Sequence, residues 1–216
     1  MCLPGHGHSD RLEEIDAYSI PKYAEAVKEV ADALTEEPPV LIGWGLGGHI
    51  ALEATTLLPE VAGVVVFGTP PLGRPALIDR AFFPGPAVEI GLRRQVSPED
   101  AKIYAASLTH PDSELPIEGR VADVLATDRN ARVGLCASIL RGDYANQIEI
   151  VGLMSIPLAI IHGARDQLVD LSYIESLRTP TLWQNKVHII EDAGHSPHLE
   201  TPAEFDALVA NFVAHL

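Results

Sequence analysis

The chain is short of positive charge. Its 216 residues include 15 Lys and Arg against 30 Asp and Glu, a formal net charge of −15. Binding to nucleic acid or to an anionic membrane surface rests on Lys and Arg contacts with phosphate, so this balance argues against both partners. The acidity reads as solubility. Cysteine is scarce as well. Cys2 and Cys136 make no disulfide framework and read as free thiols of a reducing compartment. Long apolar runs are missing, and none approaches the ~20 residues of a bilayer-spanning helix. Pro4, Gly5 and Gly7 break the first residues and acids follow, which is not a signal-peptide pattern. A soluble, cytoplasmic protein is expected. With 47% apolar and 21% charged residues, the chain suits one globular domain with a modest insertion.

Short apolar runs alternate with helical patterns. Val40–Trp44, Val61–Phe67, Ile156–Ile161 and Val187–Ile190 read as strands, and their lack of polar alternation predicts burial on both faces. Helices are predicted over Pro21–Leu34, with Tyr23, Val27, Val30, Ala31 and Leu34 on one face, over Leu46–Leu58, and over Pro202–His215. This alternation implies an α/β fold with a mostly parallel sheet and helices on both sides. Between residues 72 and 154 the rhythm stops. That stretch carries helical signals alone: a capped start at Ser97-Pro98-Glu99-Asp100, then Thr127–Leu140 and Tyr144–Met154. It reads as a helical cap inserted into a core made of residues 1–71 and 155–216. Cys136 lies in the apolar run Val133–Leu140, which reads as core, and Phe82, Phe83, Leu92 and Ile103 are candidates to line a pocket.

The most informative absence is a single side chain. Gly43-Trp44-Gly45-Leu46-Gly47 has the outline of a strained strand-to-helix turn that presents a nucleophile at its centre, with small residues two away on either side. The centre here is Gly45. The turn keeps the free N–H groups of a helix start, that of Leu46 above all, and these point towards anything bound above it. A phosphate-type glycine turn with no catalytic history fits the same stretch. Ligands of parallel sheets bind beyond the carboxyl ends of the strands, where two more residues fall. Asp166 follows the third strand and is of a type that orients an imidazole, although an isolated Asp also serves as a turn or cap. His195 follows the last strand and suits proton transfer near neutral pH. Asp170 reads as a helix cap, His198 as packing, and Ser196 as pointing away from its neighbour. His6-Gly7-His8 lacks the further ligands a metal site needs. No metal and no cofactor are expected.

In order, Leu3-Pro4-Gly5-His6-Gly7-His8-Ser9-Asp10, Gly43 to His49, Gly163-Ala164-Arg165-Asp166 and Gly194-His195-Ser196-Pro197-His198-Leu199-Glu200 resemble the α/β-hydrolase superfamily, of the alpha/beta hydrolase-1 type. The resemblance spans nearly the whole chain. It implies serine-hydrolase chemistry on a carboxylic ester, lactone, thioester or related carbon–carbon substrate. His195 would be the base and Asp166 its orienting acid. The Leu46 N–H would serve as an oxyanion donor, with Trp44 beside it at the substrate. Two departures stand out. Gly45 occupies the nucleophile position, and the strands that the family places ahead of the Pro-Gly-His-Gly loop are absent from this sequence. Val40–Trp44 would then carry an open edge that invites pairing with a second copy. Three readings remain: a hydrolase with its nucleophile replaced, a binder of small carbonyl ligands, and a weak enzyme in which His195 activates water directly.

Overall fold

A computed structural model describes residues 2–216. In chain order the elements are α1 (Ile20–Leu34), β1 (Val40–Trp44), α2 (Leu46–Ala54), β2 (Gly63–Phe67), α3 (Ile78–Ala81), α4 (Pro86–Leu92), α5 (Pro98–Ser107), α6 (Glu118–Ala126), α7 (Arg129–Arg141), α8 (Gln147–Leu153), β3 (Leu158–Gly163), α9 (Leu171–Glu175), β4 (His188–Ile190), α10 (Pro197–Glu200) and α11 (Pro202–Val213). The four strands form one parallel sheet in the order β1-β2-β3-β4. Parallel neighbours need a crossover. Here α2 lies between β1 and β2, and α3 to α8 lie between β2 and β3 with no strand among them.

The sheet is covered on both faces, which explains the unbroken apolar runs. Val64, Val66, Leu158 and Ile160 pack into one cluster with α1, α2 and α8. Val65, Phe67, Ala159 and Ile161 pack on the opposite face against Phe205 and Phe212 of α11. Successive strand residues point to opposite faces, so a strand buried on both must be apolar at every position.

Several predicted boundaries move. The helix after the turn ends at Ala54 rather than Leu58, because the Thr55 and Thr56 hydroxyls donate to the Leu52 and Glu53 carbonyls and offer the backbone a competing arrangement. The third strand runs two residues further than predicted, through His162 and Gly163, which pair with Ile189 and Ile190 of β4. On α1 the buried positions are Ile20, Tyr23 and Ala24, while Val30 and Leu34 face solvent. The run around Cys136 is core on one face only: Gly134 and Ser138 are buried and Leu135 and Ile139 pack against the main cluster, while Cys136 is half-buried and Leu140 is 82% exposed. The capped start at Ser97 is present as a reciprocal box, with the Asp100 N–H donating to Ser97 Oγ and the Ser97 N–H to Asp100 Oδ2. β1 forms one edge of the sheet, and Ile42 on it is 50% exposed. Among the described residues, no helix is long and apolar enough to cross a membrane.

Candidate active site

The turn between β1 and α2 is set by close packing of backbone. A Cβ on Gly43 would overlap the Gly47 carbonyl, and one on Gly48 would overlap the Thr69 hydroxyl. Thr69 Oγ1 in turn donates to the carbonyls of Gly45, at 2.9 Å, and Phe67, at 3.0 Å. The Gly45 N–H donates to Phe67 O. Gly45 itself has φ 52° and ψ −119°, a region that a side-chain-bearing residue occupies only under strain. The first intrahelical bonds come from the Gly48 and His49 N–H groups to Gly45 O. The N–H groups of Leu46 and Gly47 precede them and stay available at the positive end of α2.

The loops after β3 and β4 are knitted together. The Ala164 N–H donates to Ile190 O and the Arg165 N–H to Ala193 O, and a Cβ on Gly163 would overlap the Gly194 carbonyl. This contact brings two residues 29 apart in sequence into one pair. His195 Nδ1 lies 3.0 Å from Asp166 Oδ2 and 3.2 Å from Oδ1, with both side chains buried. Asp166 Oδ1 also accepts from the N–H groups of Leu168 and Val169. Burial opposes ionisation of Asp166. Electrostatic attraction to the neighbouring His195 ring, its hydrogen bond and the Leu168 N–H outweigh that, and hold the carboxyl below its ordinary range. An ionised carboxylate only accepts, so Nδ1 carries the proton and Nε2 presents its lone pair. That lone pair faces the turn: a Cβ on Gly45 would lie 3.6 Å from His195 Nε2 and within 4 Å of no other atom beyond its chain neighbours.

Two residues holding this arrangement carried no signal of that role in the sequence. Glu200, on α10, is buried, with its side chain 2% exposed. Its Oε2 accepts from the N–H groups of Gly194 and Ser196 on either side of His195, and its Oε1 accepts from the His110 N–H in the segment after α5. Trp44 uses its indole N–H to donate to the His195 carbonyl at 2.8 Å, so this donor points to the histidine backbone and not to a bound oxyanion. Ser196 Oγ donates to Leu108 O and faces away from the turn. His198 packs among Trp44, Phe67 and Phe205. Burial, with a lesser push from the His195 charge, lowers its pKa to about 4. The Nδ1–H of His49 on α2 donates to Gln147 Oε1 at 2.8 Å, and burial lowers the pKa of this imidazole to about 4 as well. Asp170 caps α9 through the Ser172 N–H.

A cleft of about 360 Å³ adjoins the acid loop, lined by Phe83, Pro86, Val88, Ile103, Gln167 and Leu168. Phe83 and Ile103 line it as anticipated. Phe82 instead bridges to Val169, and Leu92 is not part of the cleft. A larger cleft lies at the other end of the strands, beside Pro38, Ala62 and Ile156. Among the described residues, no three His, Cys, Asp or Glu side chains gather as metal ligands would, His6 and His8 included.

A parallel sheet with an acid–imidazole pair poised above a glycine turn at its carboxyl end defines a class, the α/β hydrolases. Residues 1–208 match the profile of the Alpha/beta hydrolase family, and the chain belongs to that family. Among curated relatives, it is 25% identical over 226 residues to a pimeloyl-[acyl-carrier protein] methyl ester esterase of Xylella fastidiosa, covering 99% of this chain and 83% of that one. A 2-hydroxy-6-oxononadienedioate/2-hydroxy-6-oxononatrienedioate hydrolase of a Pseudomonas species is 27% identical over 205 residues, covering 89% and 69%. Among solved structures, a serine-to-glycine mutant of the N-acyl homoserine lactonase AidH, complexed with N-hexanoyl homoserine lactone, superposes with a TM-score of 0.92 at 35% identity, covering 98% of this chain and 77% of that one. AidH complexed with N-butanoyl homoserine superposes at 0.91 with 34% identity, covering 98% and 76%.

Proposed function

We propose that this chain is a carboxylic ester or lactone hydrolase in which glycine stands at the nucleophile position, so that it holds a carbonyl substrate without forming an acyl-enzyme. One observation carries the reading: the Cβ direction of Gly45 leads straight to His195 Nε2, 3.6 Å away. A serine hydroxyl on that vector would lie within hydrogen-bond reach of the base. Asp166 holds the imidazole in the tautomer the chemistry needs, and the N–H groups of Leu46 and Gly47 face the place where an oxyanion would develop. The relatives support ester and lactone substrates. The lactonase bearing a serine-to-glycine change is bound to the intact lactone, whereas the lactonase without it is bound to the ring-opened homoserine product. Loss of a triad nucleophile lowers turnover by about a millionfold and leaves roughly 10³–10⁴ over water from the remaining groups.

The test is to install the missing hydroxyl. Gly45→Ser is expected to raise p-nitrophenyl butyrate turnover at least about 10³-fold, with an acylation burst, and adding His195→Ala is expected to abolish the gain. A silent Gly45→Ser variant that folds would overturn the reading.

A second reading, a non-catalytic binder of small carbonyl ligands, is favoured by the relaxed fit of glycine to the φ of 52° at position 45. N-hexanoyl homoserine lactone should then raise the melting temperature of the unaltered chain by mass action. A silent Gly45→Ser variant together with such a shift would select this second reading.

A further inference from the structure

The side chain missing at Gly45 leaves its place directly in front of a fully assembled base. His195 Nε2 is the one atom beyond the chain neighbours within 4 Å of where the Cβ would stand. The base itself shows no sign of decay. Its ring is fixed at Nδ1 by Asp166, at its carbonyl by the Trp44 indole, and through the N–H groups on either side of it by Glu200. It also packs on the backbone of Gly68, where a Cβ would press on three ring atoms. A turn that served only as a glycine-rich ligand cradle would need none of this. From these contacts we infer that the site is built to pass an acyl group in one step from a bound ester or lactone to a small external hydroxylic acceptor, water or a short alcohol, seated where a serine hydroxymethyl would be. The inference rests on the ester or lactone reading above and adds the identity of the second reactant.

The step balances without any further component. The acceptor O–H gives its proton to His195 Nε2 as its oxygen forms a bond to the carbonyl carbon. The carbonyl electron pair moves to oxygen and faces the Leu46 and Gly47 N–H groups. When the carbon–oxygen bond to the leaving group breaks, the proton on Nε2 passes to the departing oxygen. Water gives an acid and an alcohol, and methanol gives a methyl ester and an alcohol. The acceptor must be small, because it has to fit between the ring and the carbonyl above Leu46, and it must carry a proton, because the imidazole acts by removing one. Asp166 stays ionised throughout and stabilises the imidazolium that forms in mid-step.

Acceptor order separates this route from an acyl-enzyme. When a covalent intermediate forms, kcat/KM reports acylation alone and does not respond to an added acceptor. In the one-step route the acceptor is present in the first irreversible transition state. With the unaltered chain, p-nitrophenyl butyrate and methanol, kcat/KM for p-nitrophenol release should rise linearly with methanol. The increment should equal the rate of methyl butyrate formation, after subtraction of the enzyme-free reaction. The Gly45→Ser variant should show methyl butyrate with a flat kcat/KM. His195→Ala should lose the methanol-dependent increment by about 100-fold. His195→Gln, which keeps a polar group in the buried position, should lose it equally and guards against misfolding of the first variant. A flat kcat/KM in the unaltered chain, or an increment that survives both substitutions, overturns the inference. If the unaltered chain releases nothing above background while Gly45→Ser is active, the one-step route fails and the hydrolase reading stands. If both are silent, both fail.

Discussion

The turn at Gly43–Gly48 and the loop at Ala193–Glu200 meet over the same few ångströms, yet they are held by different physics. The turn is maintained by exclusion. Its glycines pass so close to neighbouring backbone and to Thr69 that no larger residue fits at Gly43 or Gly48, and its one exposed feature is a row of N–H groups. The loop shares such close approach at Gly194, against the backbone of Thr109 and His110, but it is aimed by polar bonds from distant side chains, with Asp166, Trp44 and Glu200 each fixing different atoms of the segment around His195. A shape fixed by exclusion survives the loss of its reactive side chain, because that side chain never supported it. A shape fixed by bonds depends on every partner. Glycine at the apex therefore leaves the rest of the site in register, and avoids the strain that a φ of 52° imposes on any other residue.

This contrast can be broken from either side. Gly43→Ala should cost more stability than the substitutions that follow, about 3 kcal/mol, because its Cβ meets the backbone of Gly47 and Gly48. Denaturant unfolding measures it, and a loss below ~1 kcal/mol would show that the turn relaxes around an added methyl and is not fixed by exclusion. On the loop side, Glu200→Gln replaces a carboxylate that accepts three N–H groups with an amide bearing one oxygen and a donor. About 1–3 kcal/mol of stability should go, since at least one buried N–H is left unpaired. In the Gly45→Ser background, turnover of p-nitrophenyl butyrate should fall with it. Unchanged turnover alongside lost stability would confine Glu200 to a purely structural role.

Protonation tests both regions together. His49 follows the turn on α2, and His198 follows His195 in the loop. Burial lowers both pKa values to about 4 from an unfolded value near 6.5. Between those values the unfolded chain binds more protons than the folded one. Stability is therefore full above pH ~6.5 and falls as pH drops towards 4, by about 1.4 kcal/mol per pH unit for each histidine. Melting curves at pH 7 and pH 5 should show the drop, and His198→Phe, which suits the aromatic surroundings of that residue, should reduce it; His49, together with His6, His162 and His188, whose burial also lowers their pKa, keeps the remainder. A pH-independent melting temperature would place these imidazoles nearer to water than their burial implies. The smallest effect is expected far from the site, at the edge strand. If two copies pair along β1, Ile42→Lys should reduce self-association in light scattering and change monomer stability by less than about 0.5 kcal/mol.

Much of the fold could be read from local pattern. Val40–Trp44 is a strand over the predicted residues, and the uniform apolarity of β2 and β3 does reflect two covered faces. The errors came where packing overrode periodicity. Val30 and Leu34 continue the apolar stripe of α1 beyond the part that touches the core, and the Cys136 run meets the core on one face while Leu140 faces solvent. The meeting of Gly45, Asp166 and His195 was legible because each follows a strand, and loops after parallel strands converge.

The sequence by itself marked the family the chain belongs to and the residue types that follow its strands. It carries a glycine turn that only small residues can make, an acid and a histidine each placed after a strand, and no hydroxyl at the apex. These are properties of short segments, set by steric limits and local spacing. Tertiary structure alone decided that Nε2 of His195 points at that apex, that the Trp44 donor turns to the histidine backbone, and that Glu200 ties the loop to the segment around His110. Those contacts join residues from 90 to 151 positions apart. Which of the many polar side chains finds which partner depends on the packed arrangement of the sheet and its covering helices, and no local pattern encodes that.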